Sequence, residues 1–134
     1  MADTVTSQTI QDGDKIAVLK FTNVSDGTGE SAVKKVDVSA LKANSLGQSC
    51  TSVTISRIYW ACVGMRVNIE FDASTNVLAM PLPADSTGDE YYDLFTGIPN
   101  NAGSGKTGDI DFTTVGHSSG DAYSIILVLT KIYE

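Results

Sequence analysis

Five residues near the end of the chain, GHSSG from Gly116 to Gly120, match the G-x-S-x-G pattern of serine hydrolases. That pattern serves catalysis because it places serine on a strained turn between a strand and a helix. Here an apolar, strand-like run from Ala122 to Leu129 follows instead of a helix. The hydrolase order also needs a histidine after the serine, whereas the one histidine, His117, precedes Ser118. We therefore interpret the segment as a β-turn, and a small hydrolase using Ser118 and His117 is the least favoured functional hypothesis.

A second motif, NNAGSGKT from Asn100 to Thr107, is similar to a phosphate-binding P-loop. A P-loop needs glycine five positions before its Gly-Lys pair, where this chain has Asn100. It must also lead into a helix whose N-terminus binds phosphate, but the residues after Thr107 predict a strand. The segment is interpreted as a glycine-rich surface loop, and no nucleotide cofactor is expected.

Residues that ligate metals are few and poorly spaced. Asp109, Asp111 and Asp121 provide carboxylates, but no glycine and glutamate lie at the offsets of an EF-hand loop. A structural zinc site takes about four nitrogen or sulfur ligands, more than two cysteines and one histidine provide. Cys50 and Cys62 are predicted either as buried free thiols or as a disulfide, since their spacing does not decide. We predict no catalytic, cofactor-binding or metal-ligating residue, and no enzyme.

Length and charge narrow the classes of partner. The chain has 134 residues, as expected for one domain (1–134), and a formal net charge of −7. An acidic surface repels phosphate backbones, so no nucleic-acid partner is expected. The first residues contain neither a basic segment nor an apolar one, so secretion by a signal peptide is not expected. No apolar run approaches the roughly 20 residues of a membrane span, so no membrane partner is expected.

Alternation of apolar and polar residues with a period of two dominates the chain and predicts strands. The clearest case runs from Met65 to Phe71, where every second residue is apolar. Turn residues such as glycine and aspartate separate the runs, and no helices alternate with them. The pattern predicts an all-β protein, an antiparallel β-sandwich or jelly roll with long loops and at most one or two short helices. We expect strands over residues 16–21, 33–38, 52–63, 65–71, 77–80, 109–115 and 122–133.

Four segments carry more specific expectations. Ser39 to Leu46 is predicted as one or two helical turns with Ser39 as the N-cap. Gly88 to Phe95 is either a short capped helix or a strand. Met1 to Gln8 is either a first strand or part of an extended N-terminal arm, spanning residues 1–14, that adds a strand to a neighbour. Within the strand from Ser52 to Val63 we expect two faces, one with Val53, Ile55, Tyr59 and Ala61 and the other with Ile58, Trp60 and Cys62.

Aromatic residues are the best candidates for a contact surface. Most of them fall in strand patterns and are expected in the core, and Trp60 is expected in the core or at an interface. Tyr91, Tyr92 and Phe95 instead lie in an acidic, turn-rich stretch. Because exposed aromatic residues frequently anchor protein–protein contacts, we predict these three as interface residues.

Six segments of the chain form a familiar combination: residues 26–31, 35–39, 58–61, 64–65, 100–110 and 113–117. Together they resemble small structural proteins of tailed bacteriophages, in particular capsid decoration (cement) proteins. The resemblance spans most of the chain and implies a virion component that binds the outer capsid surface and stabilises the shell. It further implies the major capsid protein as partner, a homo-oligomer with a trimer favoured, synthesis in the host cytoplasm and a final place on the capsid. The alternative is a carbohydrate- or receptor-binding β-sandwich module of a phage fibre or tail.

Overall fold

The computed structural model describes residues 3–91 and 97–133. Within these ranges one short 3-10 helix, Val38–Ala40, accompanies the strands. The strands are β1 (Thr4–Asp12), β2 (Ile16–Val24), β3 (Val33–Val36), β4 (Ser52–Val63), β5 (Arg66–Phe71), β6 (Val77–Leu82), β7 (Ser86–Tyr91), β8 (Ile110–Val115) and β9 (Ala122–Ile132).

The strands form two antiparallel sheets, one ordered β1-β2-β9-β4-β7 and the other β3-β8-β5-β6. From β2 to β9 the chain crosses between the sheets at every connection except the β5–β6 hairpin. Eight strands interleaved in this way over two sheets form a jelly roll, and β1 extends one sheet by a ninth strand. The predicted all-β sandwich or jelly roll is confirmed.

The core lies between the two sheets because alternate residues of each central strand face inward. In β9 the inward residues are Tyr123, Ile125, Leu127 and Leu129, all buried, while the residues between them are half-buried on the outer face. The ring of Phe112 from the opposite sheet meets Tyr123 edge-on, with ring centroids 5.8 Å apart. Such aromatic pairs stabilise a core by about 0.5–1.5 kcal/mol beyond the area they bury.

A β-bulge in β4 changes which of its residues face the core. Ile55 pairs with Leu129 and Arg57 with Val128, so Ser56 is an extra residue in the ladder. The alternation therefore reverses at Ser56, and both Ile55 and Ile58 are fully buried. The expectation that Val53 and Ile55 share a face with Tyr59 and Ala61 is wrong. The core face combines Val53, Ile55, Ile58 and Cys62.

The predicted helical turn at Ser39 to Leu46 is shorter and begins earlier. Asp37 is the N-cap, because its Oδ1 accepts a hydrogen bond from the Ser39 backbone N at 3.0 Å. Ser39 lies inside the turn, and Leu41 already has extended backbone angles. For the segment that begins at Gly88, the strand alternative is correct as far as Tyr91, the end of β7. No helix in the part of the chain that the structure describes is long and apolar enough to span a membrane.

Candidate interaction surface

The outer face of the five-stranded sheet carries a group of four polar and aromatic residues where β4 meets β7. The antiparallel register places Arg57 opposite Tyr91 and Tyr59 opposite Asp89. Residues two apart in a strand project from the same face, so all four side chains are neighbours. We call Arg57, Tyr59, Asp89 and Tyr91 the arginine–tyrosine cluster.

The Arg57 guanidinium is the centre of this cluster. It donates two hydrogen bonds to Asp89, from Nε to Oδ1 at 2.9 Å and from Nη2 to Oδ2 at 2.7 Å. Its Cζ atom also lies 4.6 Å from the ring centroid of Tyr59 and 5.1 Å from that of Tyr91, within cation–π range. The bidentate pairing raises the pKa of Arg57 and lowers the pKa of Asp89, so both groups stay charged at neutral pH.

The cluster is exposed to solvent, although contacts among its four side chains hold each of them in place. The Tyr91 residue is 60% exposed, and the side chains of Arg57 and Asp89 are 34% and 41% exposed. A shallow depression continues from it across the sheet, lined by Tyr59, Asp89 and also Trp60, Ala61, Thr87, Gly88, Ser124 and Ile126.

Trp60 and Gly88 support the cluster from within the sheet. They are directly opposite each other in the β4–β7 ladder, and the indole ring lies against the glycine. A Cβ atom at position 88 would be 2.3 Å from Cζ2 of Trp60, so only glycine fits there. The indole Nε1 donates to Ser86 Oγ at 3.1 Å, and the half-buried ring packs on the core. Trp60 therefore has a structural role beneath the surface.

The arginine–tyrosine cluster is chemically suited to binding another protein. Tyrosine and arginine are enriched at the energetic centres of protein interfaces, where they combine apolar contact with directed hydrogen bonds. One face of each tyrosine ring is already covered by the Arg57 guanidinium. An incoming ligand, whether protein or carbohydrate, has to use the other face of each ring.

Of the three aromatic residues predicted as interface residues, Tyr91 belongs to the cluster. Tyr92 and Phe95 lie outside the described residues. Sequence reasoning missed Arg57, because the bulge at Ser56 hides that Arg57 and Tyr59 alternate outward with Ala61 and Val63. If a β-bulge is assumed at Ser56, the pattern R-x-Y-x-A-x-V can be recognised in the sequence as a series of outward-facing residues.

The hydrolase-like segment connects β8 to β9 as a turn. Nδ1 of His117 lies 3.1 Å from Thr114 Oγ1, and its ring packs against Gly29. The backbone N of Ser118 donates to Asp121 Oδ2 at 2.8 Å, as in a turn stabilised by an aspartate. The motif is followed by strand β9, as the sequence predicts, and the hydrogen-bond partner of His117 is a threonine.

The P-loop-like segment is also part of a loop that leads into a strand. Thr107 Oγ1 donates to Asp72 Oδ2 at 2.7 Å, and the Thr107 N–H donates to the Asp72 carbonyl at 3.3 Å. A carboxylate therefore holds the hydroxyl that a P-loop would direct to a bound cation. These contacts tie the loop to the β5–β6 turn.

Each of the three aspartates considered as metal ligands makes its own contacts, apart from the other two. Asp109 pairs with Lys34 at 2.9 Å and accepts from the Val38 backbone N. Asp111 accepts from Asn76 at 3.0 Å, and Asp121 lies at the β8–β9 turn. Burial, together with the neighbouring carboxylate of Asp72, raises the pKa of Asp111 to about 6. Residues 3–91 and 97–133 hold no group of three or more histidine, cysteine or acidic side chains placed to bind a metal.

Both cysteines are buried free thiols rather than a disulfide. Cys50 Sγ donates to the Ser52 carbonyl at 3.1 Å. Cys62 lies in the core, and burial raises its pKa to about 11. Neither thiol is therefore activated as a nucleophile.

A buried polar network closes the sandwich beside a cleft under β1. Glu30 accepts from Tyr123 at 2.6 Å and pairs with Lys35 at 2.5 Å. Burial raises the pKa of Tyr123, and the hydrogen-bonded Glu30 carboxylate raises it further. The cleft has a volume of about 190 Å³, and its lining includes Lys35, Asp37 and Phe21. The charged groups of this network are paired with one another, so the network is interpreted as structural.

Comparisons with known proteins do not assign the chain to a family. No protein-family model matches the chain. No curated protein matches it either. One similar solved structure is a cupin superfamily protein from Desulfitobacterium hafniense, with 12% sequence identity and a TM-score of 0.36 over 98% of this chain and 81% of that one. The jelly-roll assignment therefore rests on the strand order of this chain.

Proposed function

We propose that the chain is a virion structural protein, a capsid decoration protein that binds the outer capsid surface through the arginine–tyrosine cluster. The observation that carries the proposal is the cluster itself: an exposed tyrosine and an arginine, prearranged by Asp89 on the outside of a rigid sheet. Prearranged side chains lose little conformational freedom on binding, so more of their contact energy appears as affinity. The partner is the major capsid protein.

The mechanism is cementing. A module that contacts two neighbouring capsid subunits at once must lose both contacts before the shell can open there, which raises the barrier to rupture. Such a role needs a stable scaffold and an adhesive face and no cofactor. The sandwich provides the scaffold, since its buried core includes residues from both sheets.

The jelly roll supports this proposal only in part. Viral capsid domains, lectins and cupins all use the fold, so the function has to be argued from the surface. The resemblance to phage decoration proteins adds a homo-oligomer and favours a trimer.

The alternative proposal is a carbohydrate- or receptor-binding module of a phage fibre or tail. The exposed Tyr91 ring beside the Asp89 carboxylate favours it, because sugars combine ring stacking with hydrogen bonds to acidic groups. A glycan array probed with the purified chain tests it. Hits that disappear in Tyr91→Ala support this alternative, and an array without hits rejects it.

The decoration proposal is tested by co-sedimentation with capsids of the phage that encodes the chain, prepared without this protein. We expect the wild-type chain to bind, and Tyr91→Ala to weaken binding by about tenfold or more, since interface centres lose about 2 kcal/mol on truncation. Leu78→Ala is the matched control, because Leu78 is 50% exposed on β6 of the other sheet. Wild-type protein that stays in the supernatant, or equal binding of Tyr91→Ala, would overturn the proposal.

A further inference from the structure

The described strands leave four sheet edges, formed by β1 and β7 in one sheet and by β3 and β6 in the other. Edge strands expose unpaired N–H and C=O groups, and proteins protect them with charge, proline or short length. β3 has only four residues and carries Lys34 and Lys35. β6 contains Pro81, which has no N–H to donate. β7 carries Asp89 and Glu90.

The edge formed by β1 lacks these charges and prolines. From Thr4 to Gln11 its sequence is TVTSQTIQ, without a charged residue in a chain of net charge −7. Every one of these residues is exposed. A bulge at Ile10 interrupts the ladder near its end, which leaves Thr4 to Thr9 regular. This segment is therefore a neutral, extended edge of six residues.

β1 is nevertheless held firmly in its own sheet by a carboxylate at each end. Asp3 accepts hydrogen bonds from Asn23 Nδ2 at 3.1 Å and from the backbone N of Asp26 and Gly29 at 3.1 and 3.2 Å. Asp12 pairs with Lys131 and accepts from the Lys42 backbone N at 2.9 Å. The strand is thus fixed at both ends, and its neutral middle presents a preformed edge.

We propose that this edge pairs antiparallel with the same edge of a second copy of the chain, joining two five-stranded sheets into one of ten strands. The inference concerns self-association and does not depend on capsid binding. Antiparallel pairing of identical strands is isologous, with a twofold axis perpendicular to the sheet. In that arrangement the residue on the axis faces its own copy, and the middle of the regular segment places Thr6 or Ser7 there.

The second copy is the occupant that fits because the strip is self-complementary. Threonine and serine side chains opposite each other form cross-strand hydrogen bonds, and like charges in such positions are destabilising. The strip offers hydroxyl and amide groups with the aliphatic side chain of Val5 and no charge, so it meets itself without repulsion although each molecule is acidic. A charged strand of another protein would find no opposite charge along this strip with which to pair.

The first test is the solution mass by light scattering at micromolar concentration. We expect twice the chain mass of 14.1 kDa, in place of the trimer that the resemblance to decoration proteins favours, and three times the chain mass would overturn the twofold pairing. Ser7→Lys places two ammonium groups near the axis and is expected to raise the dimer dissociation constant by about tenfold or more. Thr87→Lys, at an exposed position of the β7 edge, is the matched control and should leave the dimer intact. A wild-type monomer, or a dimer unaffected by Ser7→Lys, would overturn the proposal.

The second test uses cysteine crosslinking and holds even if Ser7→Lys does not fold. Opposed residues of an antiparallel pair have Cα atoms about 4.5–5.5 Å apart, which suits a disulfide. We expect Thr6→Cys or Ser7→Cys to form a covalent dimer on mild oxidation, and Thr87→Cys not to do so. The native cysteines are buried and should not react. The absence of crosslinking at both β1 positions would refute the twofold contact.

Discussion

At the scale of single residues, the outer surface depends on contacts made inside the sheet. Arg57 is placed by Asp89 and by two tyrosine rings, and the β4–β7 pairing that brings them together depends on the indole of Trp60 lying across Gly88. A glycine opposite an aromatic residue in an antiparallel pair leaves room for the ring to cover the neighbouring backbone. The surface residues and this supporting pair therefore form one unit.

Replacement of Gly88 tests this dependence. In Gly88→Ala the new methyl group would meet the Trp60 ring at 2.3 Å, so the ring or the strand must move. We expect a loss of about 1–3 kcal/mol in the free energy of unfolding, measured in urea. Gly103→Ala is the control, because no atom lies within 4 Å of the added Cβ. Equal stability of the two variants would show that Trp60 is not packed as described.

At the scale of elements, β1 is an added strand whose anchorage can be loosened without touching the core. Asp3→Ala removes the acceptor of the hydrogen bonds from Asn23, Asp26 and Gly29. We expect the amides of Thr4 to Thr9 to exchange with solvent at least about tenfold faster, while those of β9 are unchanged. Hydrogen–deuterium exchange with mass spectrometry measures both regions in one experiment.

A matched control for Asp3→Ala is Asp14→Ala, since Asp14 is an exposed acid in the turn between β1 and β2. It should leave exchange in β1 at the wild-type rate. Slow exchange in β1 of Asp3→Ala would mean that the ladder with β2 alone is sufficient to hold the strand.

The elements themselves differ in how well the sequence predicts them. β5 and β9 are readable because strict alternation indicates one buried face, and the structure has both. β4 is predicted with the correct ends, Ser52 and Val63, but a bulge is a local backbone event that leaves no mark on composition. The cap at Asp37 is missed because aspartate and serine are both good N-caps, and tertiary contacts decide between them. The arginine–tyrosine cluster depends on the β4–β7 register, a long-range property.

At the scale of the whole molecule, a pair of acids makes stability depend on pH. The pKa of Asp111 is raised from 3.8 to about 6 in the folded protein, mainly by burial and then by Asp72. Between these values the folded state holds a proton that the unfolded state has released, so stability falls as pH rises through this window. The loss attributable to Asp111 is about 3 kcal/mol, complete above pH 6.

The Asp111→Asn variant should flatten this part of the pH profile. Urea unfolding at several pH values across the window gives the free energies, and the difference from wild type should grow in favour of the variant as pH rises. Asp37→Asn is the control, because Asp37 lies at the surface and its pKa is lowered, chiefly by the hydrogen bond from Ser39. A difference between Asp111→Asn and wild type that does not grow as pH rises through the window would contradict the burial of an acid at position 111.

The interleaving of the strands has a consequence for how the protein is made. β9 is synthesised after the other eight described strands, yet it lies at the middle of its sheet between β2 and β4. While the chain is still emerging from the ribosome, β2 and β4 have no common neighbour until residues 122–132 have been made. Folding dominated by such distant pairings is slow compared with that of local structures. The nascent chain must therefore remain soluble until residues 122–132 have been made, and a ribosome that stops before β9 would release a product prone to aggregation.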